Sequence, residues 1–108
     1  MGSKILDVKD GNFEEEVLRS DVPVLLDFSA EWCSPCQKMV PIMEEIAAEF
    51  EGRAKVASVD VGLDQETAMR LGVVSVPTVI FFKGGKVREK LVGPAQKSVL
   101  VSRLQRLL

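Results

Sequence analysis

The chain has 108 residues, of which 46% are hydrophobic and 28% are charged, and its formal net charge is −2. This length predicts one domain, residues 1–108, that buries about two-thirds of its unfolded surface. The charge balance excludes a basic surface for nucleic acid or anionic membranes. The absence of histidine excludes the imidazole base on which many hydrolases depend.

No apolar run approaches the roughly 20 residues that span a bilayer, and the N-terminal residues contain no signal-peptide core. The sequence therefore predicts a cytoplasmic protein, although removal of a signal would leave no trace. Its two cysteines, Cys33 and Cys36, form a single Cys-x-x-Cys pair. In a reducing compartment, such a pair is more often catalytic or metal-binding than a structural disulfide.

Strand and helix patterns alternate through the first two-thirds of the chain. The predicted elements are a strand Lys4–Val8, a helix from an N-cap at Asp10 toward Ser20, a strand Val22–Phe28, a helix from Ser34 to Phe50, a strand Ala54–Val61 and a short helix Asp64–Leu71 with Asp64 as its cap. This order predicts crossover helices, at least one βαβ unit and a sheet covered on both faces.

The pattern changes after Val76 and Pro77. Thr78–Phe82 and Lys86–Val92 are strand candidates, and the Lys83-Gly84-Gly85 segment between them predicts a tight hairpin with antiparallel strands. The last segment, Ala95–Leu108, is predicted to be a helix. Its spacing places Val101, Leu104 and Leu108 on one apolar face, with Leu100 and Leu107 flanking it.

Cys33 and Cys36 lie where a strand pattern changes into a helix pattern. Cysteines at i and i+3 on a first helical turn have Cβ atoms about 5–6 Å apart, close enough to form a disulfide after a small adjustment. Cys33 lies at the helix N-terminus, where unpaired N–H groups and the helix dipole favour a thiolate, so Cys33 is the predicted nucleophile. Pro35 suits the first turn and stiffens the dithiol.

Several motifs together resemble those of thioredoxins over nearly the whole chain. They are Val24-Leu25-Leu26-Asp27-Phe28, Ala30-Glu31-Trp32-Cys33-Ser34-Pro35-Cys36, Pro41, Val76-Pro77-Thr78, Phe81-Phe82-Lys83-Gly84-Gly85 and Val92-Gly93. Their order and spacing are highly specific, whereas the Cys-x-x-Cys pair alone would be moderate evidence. The resemblance implies an α/β fold, the thioredoxin fold, with a central mixed five-stranded sheet flanked by four helices.

The resemblance also implies protein disulfide reductase activity. The reversible Cys33–Cys36 dithiol–disulfide would be the redox centre, with no other bound cofactor and no metal. A thioredoxin reductase that draws on NADPH or ferredoxin would recharge the pair, and disulfide-containing proteins would be the substrates. A monomer is expected.

A substrate-docking surface follows from the same resemblance. It implies that the Val76–Pro77 bond is cis, which would turn the Val76 backbone toward the dithiol. The N–H and C=O groups of Val76 could then pair with an extended substrate as an added strand. Trp32, Val76, Pro77 and Gly93 would border this surface.

The expected mechanism uses three side chains. Cys33 attacks the substrate disulfide and forms a mixed disulfide, which Cys36 resolves. Asp27 interrupts an apolar run, and burial should raise the pKa of its carboxyl toward neutrality. Asp27 is therefore the candidate base for the Cys36 proton, with a satisfied buried polar group or a strand-end cap as the alternative interpretation.

Three positions depart from the common family pattern. Ser34 stands where glycine is usual between the cysteines, and with Pro35 it is expected to tune the reduction potential. Ser29 stands where many bacterial members have tryptophan. Ser58 falls where many members carry a buried lysine, so a charged Asp27 has one fewer partner and its pKa should lie still higher.

Other functional classes stay open at this level. One is a thiol oxidase or isomerase outside the cytoplasm, which needs an export signal and a less reducing dithiol. Another is a binding module that uses the docking surface without turnover. A mononuclear zinc site is disfavoured because only scattered carboxylates remain as further ligands. For Trp32, the alternative role is that of a partly buried packing aromatic.

Overall fold

A mixed sheet forms the centre of the protein in the computed structural model, which describes residues 4–108. The strands are β1 (Leu6–Asp7), β2 (Val24–Ser29), β3 (Lys55–Asp60), β4 (Thr78–Lys83) and β5 (Lys86–Val92), in the spatial order β1-β3-β2-β4-β5. β3 pairs in parallel with β1 and β2, whereas the β2–β4 and β4–β5 pairs are antiparallel. The mixed five-stranded sheet and the hairpin are therefore confirmed. Residues 1–3, for which the sequence predicts no signal-peptide core, lie outside the described residues.

Four helices accompany this sheet in the described part of the chain. They are a π-helical turn (Glu14–Leu18), α1 (Ser34–Glu49), α2 (Gln65–Arg70) and α3 (Lys97–Gln105). Because α1 connects the parallel neighbours β2 and β3, it completes the predicted βαβ unit. Within residues 4–108, none of the helices has the length and apolar character needed to cross a membrane.

Both faces of β2 are buried, as its continuous apolar run predicts. Successive side chains of a strand point to opposite faces of a sheet. Leu25 packs in one cluster with residues of α1 and α3, whereas Leu26 and Phe28 pack in a second cluster with residues of the π-helical turn and α2. Burying a side chain of this size contributes about 1.5–3 kcal/mol, so the two clusters fix α1 on one face and α2 on the other.

The predicted role of Asp10 as N-cap of the first helix is wrong. The N-cap of the π-helical turn is Phe13, with no side-chain cap hydrogen bond. The Asp10 carboxylate instead accepts hydrogen bonds from the N–H groups of Glu66 and Thr67, at 3.4 and 2.8 Å. Asp64 is the N-cap residue of α2, as predicted, but its side chain makes no cap hydrogen bond, so the capping acceptor is Asp10. Unpaired N–H groups at a helix start are satisfied by whichever acceptor the fold brings close.

The buried face of α3 also differs from the prediction. Leu100, Leu104 and Leu107 are buried, whereas Leu108 is 50% exposed and Val101 is only partly buried. The helix ends at Gln105, so Leu108 no longer follows the helical spacing on which the prediction depended. The buried stripe therefore consists of Leu104 and the two residues that were predicted to flank the face, Leu100 and Leu107.

The β4–β5 hairpin requires both of its glycines. Gly84 and Gly85 have φ values of +62° and +79°, and two central residues with positive φ are characteristic of a type I′ turn. Gly85 also lies against the π-helical turn. A Cβ atom at Gly85 would be 2.8 Å from the carbonyl oxygen of Leu18, whereas one at Gly84 would meet no atom within 4 Å.

We expect Gly85→Ala to destabilise the protein more than Gly84→Ala. Both substitutions place an L-residue at positive φ, which costs about 1–2 kcal/mol. Only at Gly85 does the new methyl group meet the Leu18 carbonyl, which should cost about 1–3 kcal/mol more, as overpacking does. Urea unfolding of the two variants measures the difference. Equal losses would show that the hairpin moves away from Leu18 without cost.

Candidate active site

The two cysteines occupy the first turn of α1. Cys33 is the N-cap residue with an extended backbone, and Pro35 lies at the helix start. Cys33 and Cys36 are joined by a disulfide with a Cα–Cα distance of 5.3 Å, which confirms the pairing predicted from their spacing. The Cys36 N–H donates a hydrogen bond of 3.2 Å to the Cys33 Sγ. The helix start therefore directs an otherwise unpaired donor at the first sulfur.

The two sulfurs differ in their access to solvent. Cys33 is 5% exposed and Cys36 is completely buried, whereas Ser34 and Pro35 between them are exposed. A large partner can therefore approach this turn from the side of Cys33. The Cys33 backbone is held in place by the hydrogen bond of its own N–H to the Ala30 carbonyl, at 3.1 Å.

Asp27 lies in the middle of β2 and is only 4% exposed. Alternation places its side chain on the same face as Leu25, which packs in the cluster with α1. Its Oδ1 is buried and has no hydrogen-bond partner among the described residues. Burial raises the pKa of Asp27 from 3.8 to about 7, because the charged form loses its hydration. The alternative interpretation, in which Asp27 is a buried polar group with its hydrogen bonds formed, is not met at Oδ1.

The loop before β4 packs directly on the disulfide. Val76 and Val61 contact a buried cluster formed by Ala30, Cys33 and Cys36. The Val76–Pro77 bond is cis, as the resemblance implied.

Gly93 lies beside this loop, at the end of β5. Its N–H donates a hydrogen bond of 2.8 Å to the carbonyl oxygen of Pro77, and its φ is +94°. Positive φ is readily adopted by glycine but costs other residues energy. The structure thus brings Val76, Pro77 and Gly93 together with the cysteines.

An apolar groove of about 150 Å³ lies between Trp32 and the loop that precedes β4. Trp32 is 76% exposed, so its alternative role as a partly buried packing aromatic is wrong. Val73 and Val74 also line the groove, and Val74 is 96% exposed. Sequence reasoning missed these two valines. The available signal was an apolar pair between α2 and β4 that belongs to neither element.

A second apolar groove, of about 330 Å³, borders the same turn of α1 on another side. It is lined by Pro35, Lys38, Met39, Ile42, Pro94 and Ala95. The redox turn therefore has apolar surface on two sides. Residues 4–108 bring together no group of three or more acidic, cysteine or histidine side chains that could hold a metal ion.

Comparison with known proteins gives a consistent result. The thioredoxin family model matches residues 4–106. The chain belongs to the thioredoxin family. A thioredoxin from Rickettsia bellii is 47% identical over 87% of this chain and 90% of the relative. Thioredoxin 1 from Nostoc sp. and the thioredoxin from Pseudomonas aeruginosa are 42% and 39% identical, over 92% and 94% of both chains.

Membership of the thioredoxin family makes the protein a thiol–disulfide oxidoreductase with a redox-active cysteine pair. It also implies a reductase and disulfide-containing proteins as partners. The mixed sheet with four helices in residues 4–108 is the thioredoxin fold.

The raised pKa of Asp27 predicts a specific pH dependence of stability. Between about pH 4 and pH 7 the folded protein keeps a proton that the unfolded chain releases, so the free energy of unfolding should fall as pH rises. The fall should reach about 4 kcal/mol and end above pH 7. Asp27→Asn cannot ionise and should lack this fall, so it gains stability relative to wild type as pH rises.

Urea unfolding of the oxidised proteins at several pH values between 4 and 8 measures this effect. Asp21→Asn, at an exposed position, is the control and should follow the wild-type pH dependence. If the wild type and Asp27→Asn give parallel curves, Asp27 does not carry the proton assigned to it.

Proposed function

We propose that the protein reduces disulfides in other proteins, with Cys33 as the nucleophile and Cys36 as the resolving thiol. The observation that carries this proposal is the disulfide at the start of α1, where the Cys33 Sγ accepts the Cys36 N–H. After reduction, the same helix terminus favours negative charge on the first sulfur. Cys33 is also the more accessible of the two cysteines.

The reaction takes place in two exchange steps. The Cys33 thiolate attacks one sulfur of the substrate disulfide, and the other substrate sulfur leaves as a thiolate. Cys36 then loses its proton and attacks the Cys33 sulfur. This second step forms the Cys33–Cys36 disulfide and releases the remaining substrate thiol. Two electrons pass to the substrate, and the substrate thiolates acquire protons.

Asp27 is the proposed proton acceptor for Cys36. Its carboxyl lies on the sheet face that α1 covers, and its pKa of about 7 leaves it partly charged at physiological pH. Such a group can take a proton from a buried thiol and return it later. Complete burial of Cys36 supports this role because bulk water has no direct access to its sulfur.

The proposed docking surface consists of Trp32, Val76, Pro77 and Gly93. An extended substrate segment would pair with the Val76 backbone as an added strand, with its side chains against Trp32. The apolar groove between Trp32 and Val76 supports this role, since it offers a pocket for one apolar side chain.

Ser34 and Pro35 are proposed to tune the reduction potential. Ser34 is exposed between the two cysteines, so its hydroxyl can form hydrogen bonds without a desolvation cost. Pro35 lies in the first turn of α1, where its fixed φ limits backbone motion of the reduced dithiol.

Residues 1–108 are proposed to act as one domain and as a monomer in the cytoplasm. In this proposal no cofactor or metal is bound, and the Cys33–Cys36 pair alone carries the electrons. A thioredoxin reductase that uses NADPH or ferredoxin returns the pair to its dithiol form. Disulfide-containing proteins are the substrates, and neither nucleic acid nor membrane is a partner.

The order of attack predicts opposite behaviour for the two cysteine variants. Cys36→Ser should accumulate a covalent complex with substrate proteins, because the mixed disulfide cannot be resolved. Cys33→Ser should not, because it lacks the nucleophile. Incubation with a disulfide-containing protein, followed by non-reducing gels and mass spectrometry, measures the complex. Accumulation with Cys33→Ser instead would reverse the assignment.

Asp27→Asn should slow the resolution of a preformed mixed disulfide near neutral pH. Loss of a positioned base typically costs about 10²–10⁴-fold in rate. Rapid quenching of the mixed disulfide at several pH values measures the step directly. The first exchange step serves as the internal control and should keep the wild-type rate, because Asp27 takes no proton in it. Equal resolution rates across pH would remove Asp27 from the mechanism.

A further inference from the structure

Ser58 is the direct neighbour of Asp27 in the sheet. In the parallel pairing of β2 with β3, the two residues lie opposite each other. Val56, two residues before Ser58, packs in the cluster that contains residues of α1. Ser58 therefore projects from the same face of the sheet as Asp27. Ser58 is half-buried, whereas Asp27 is buried.

The distance between neighbouring strands suits a contact between the two side chains. Paired strands lie about 4.8 Å apart, a gap that a serine hydroxyl and an aspartate carboxyl can bridge. The hydroxyl rotates about one bond and can either donate or accept. The neighbour of Asp27 on the other side is Val79 of β4, whose side chain offers neither donor nor acceptor.

The unpartnered Oδ1 of Asp27 is the second observation. Asp27 is more than nine-tenths buried, and this oxygen has no hydrogen-bond partner among the described residues. A neutral carboxyl tolerates this arrangement better than a carboxylate, because desolvation penalises charge most. When Asp27 loses its proton, its oxygens therefore require a donor. The hydroxyl of Ser58, opposite Asp27 on the neighbouring strand, is the candidate donor.

We propose that Ser58 is a positioning residue whose hydroxyl donates a hydrogen bond to the charged Asp27 carboxylate and holds it ready for the Cys36 proton. This inference rests on the proposed function of Asp27. Ser58 transfers no proton itself. It stabilises the form of Asp27 that accepts one.

Other titratable groups share this face. From the elements on this face they include Cys36 of α1, Asp7 of β1, Asp60 of β3, and Glu89 of β5, which forms an ion pair with Arg103 of α3. Cys36 is disulfide-bonded in this structure, and the Asp7 carboxylate pairs with Lys9 at 3.2 Å. An Asp60 oxygen accepts a backbone N–H at 2.8 Å. None of these groups donates a hydrogen bond to Asp27, and burial is what raises its pKa.

The test compares Ser58→Thr with Ser58→Val. Threonine and valine have nearly the same shape, but only threonine keeps a hydroxyl. The Asp27 pKa is read from the ¹³C resonance of its carboxyl in aspartate-labelled protein, and resolution of a preformed mixed disulfide is timed across pH. Ser58→Ala is included because it adds no volume and should fold even if the larger side chains do not fit.

We expect Ser58→Val and Ser58→Ala to raise the Asp27 pKa by about one, as expected for loss of one hydrogen bond to a carboxylate. In both variants, the pH dependence of the rate of mixed-disulfide resolution should move by the same amount to higher pH. At pH values well below the Asp27 pKa the resolution rate should fall about tenfold, because the charged fraction of the carboxyl falls by that factor. Ser58→Thr should match the wild type in both measurements.

The outcomes separate this inference from the proposed function. An unchanged Asp27 pKa in Ser58→Val and Ser58→Ala would overturn the role of Ser58. Equal shifts in Ser58→Thr and Ser58→Val would also overturn it, because the effect would then come from side-chain shape. If Asp27→Asn resolves the mixed disulfide as fast as wild type, the proton step itself fails, whatever Ser58 does to the carboxyl.

Discussion

The packing of α1 against one face of the sheet is the constraint on which the redox site depends. Met39, Met43 and Ile46 of this helix share a cluster with Leu25 of β2 and Val79 of β4. Their burial fixes the helix relative to the central strand, and so fixes the first helical turn with its disulfide. The same packing removes Asp27 from water. One apolar interface therefore sets both the position of the sulfurs and the proton affinity of the carboxyl.

Asp27 lowers the free energy of unfolding relative to an apolar residue at the same position of β2. An apolar residue at this position of β2 would continue the run on either side, whereas a buried carboxylate with an unpartnered oxygen opposes folding above neutral pH. This unfavourable free energy is offset by the clusters on both faces of the sheet, in which aromatic and aliphatic side chains are completely buried. The proposed role of Asp27 as a proton acceptor depends on this environment, because solvation would return its pKa to the ordinary range.

Much of this arrangement could be predicted from the sequence, because the residues that define the redox site are close together in the chain or belong to motifs shared with the family. The stretch from Asp27 to Cys36 contains the carboxyl, the disulfide and the helix start, and resemblance implied the cis bond at Pro77. Capping of α2 by Asp10 could not be predicted, because the partners are 56 and 57 residues apart. Val74 was missed for a related reason: its exposure depends on how the loop before β4 lies beside Trp32.

The reduction potential of the Cys33–Cys36 pair tests the reductase assignment most directly. The protein is equilibrated in buffers of defined dithiol potential, free thiols are trapped, and the oxidised fraction is measured by mass spectrometry. A reductase must pass electrons to substrate disulfides, so the account predicts a potential well below that of the glutathione couple. A value at or above that couple would contradict it and would favour a thiol oxidase or isomerase built on the same fold.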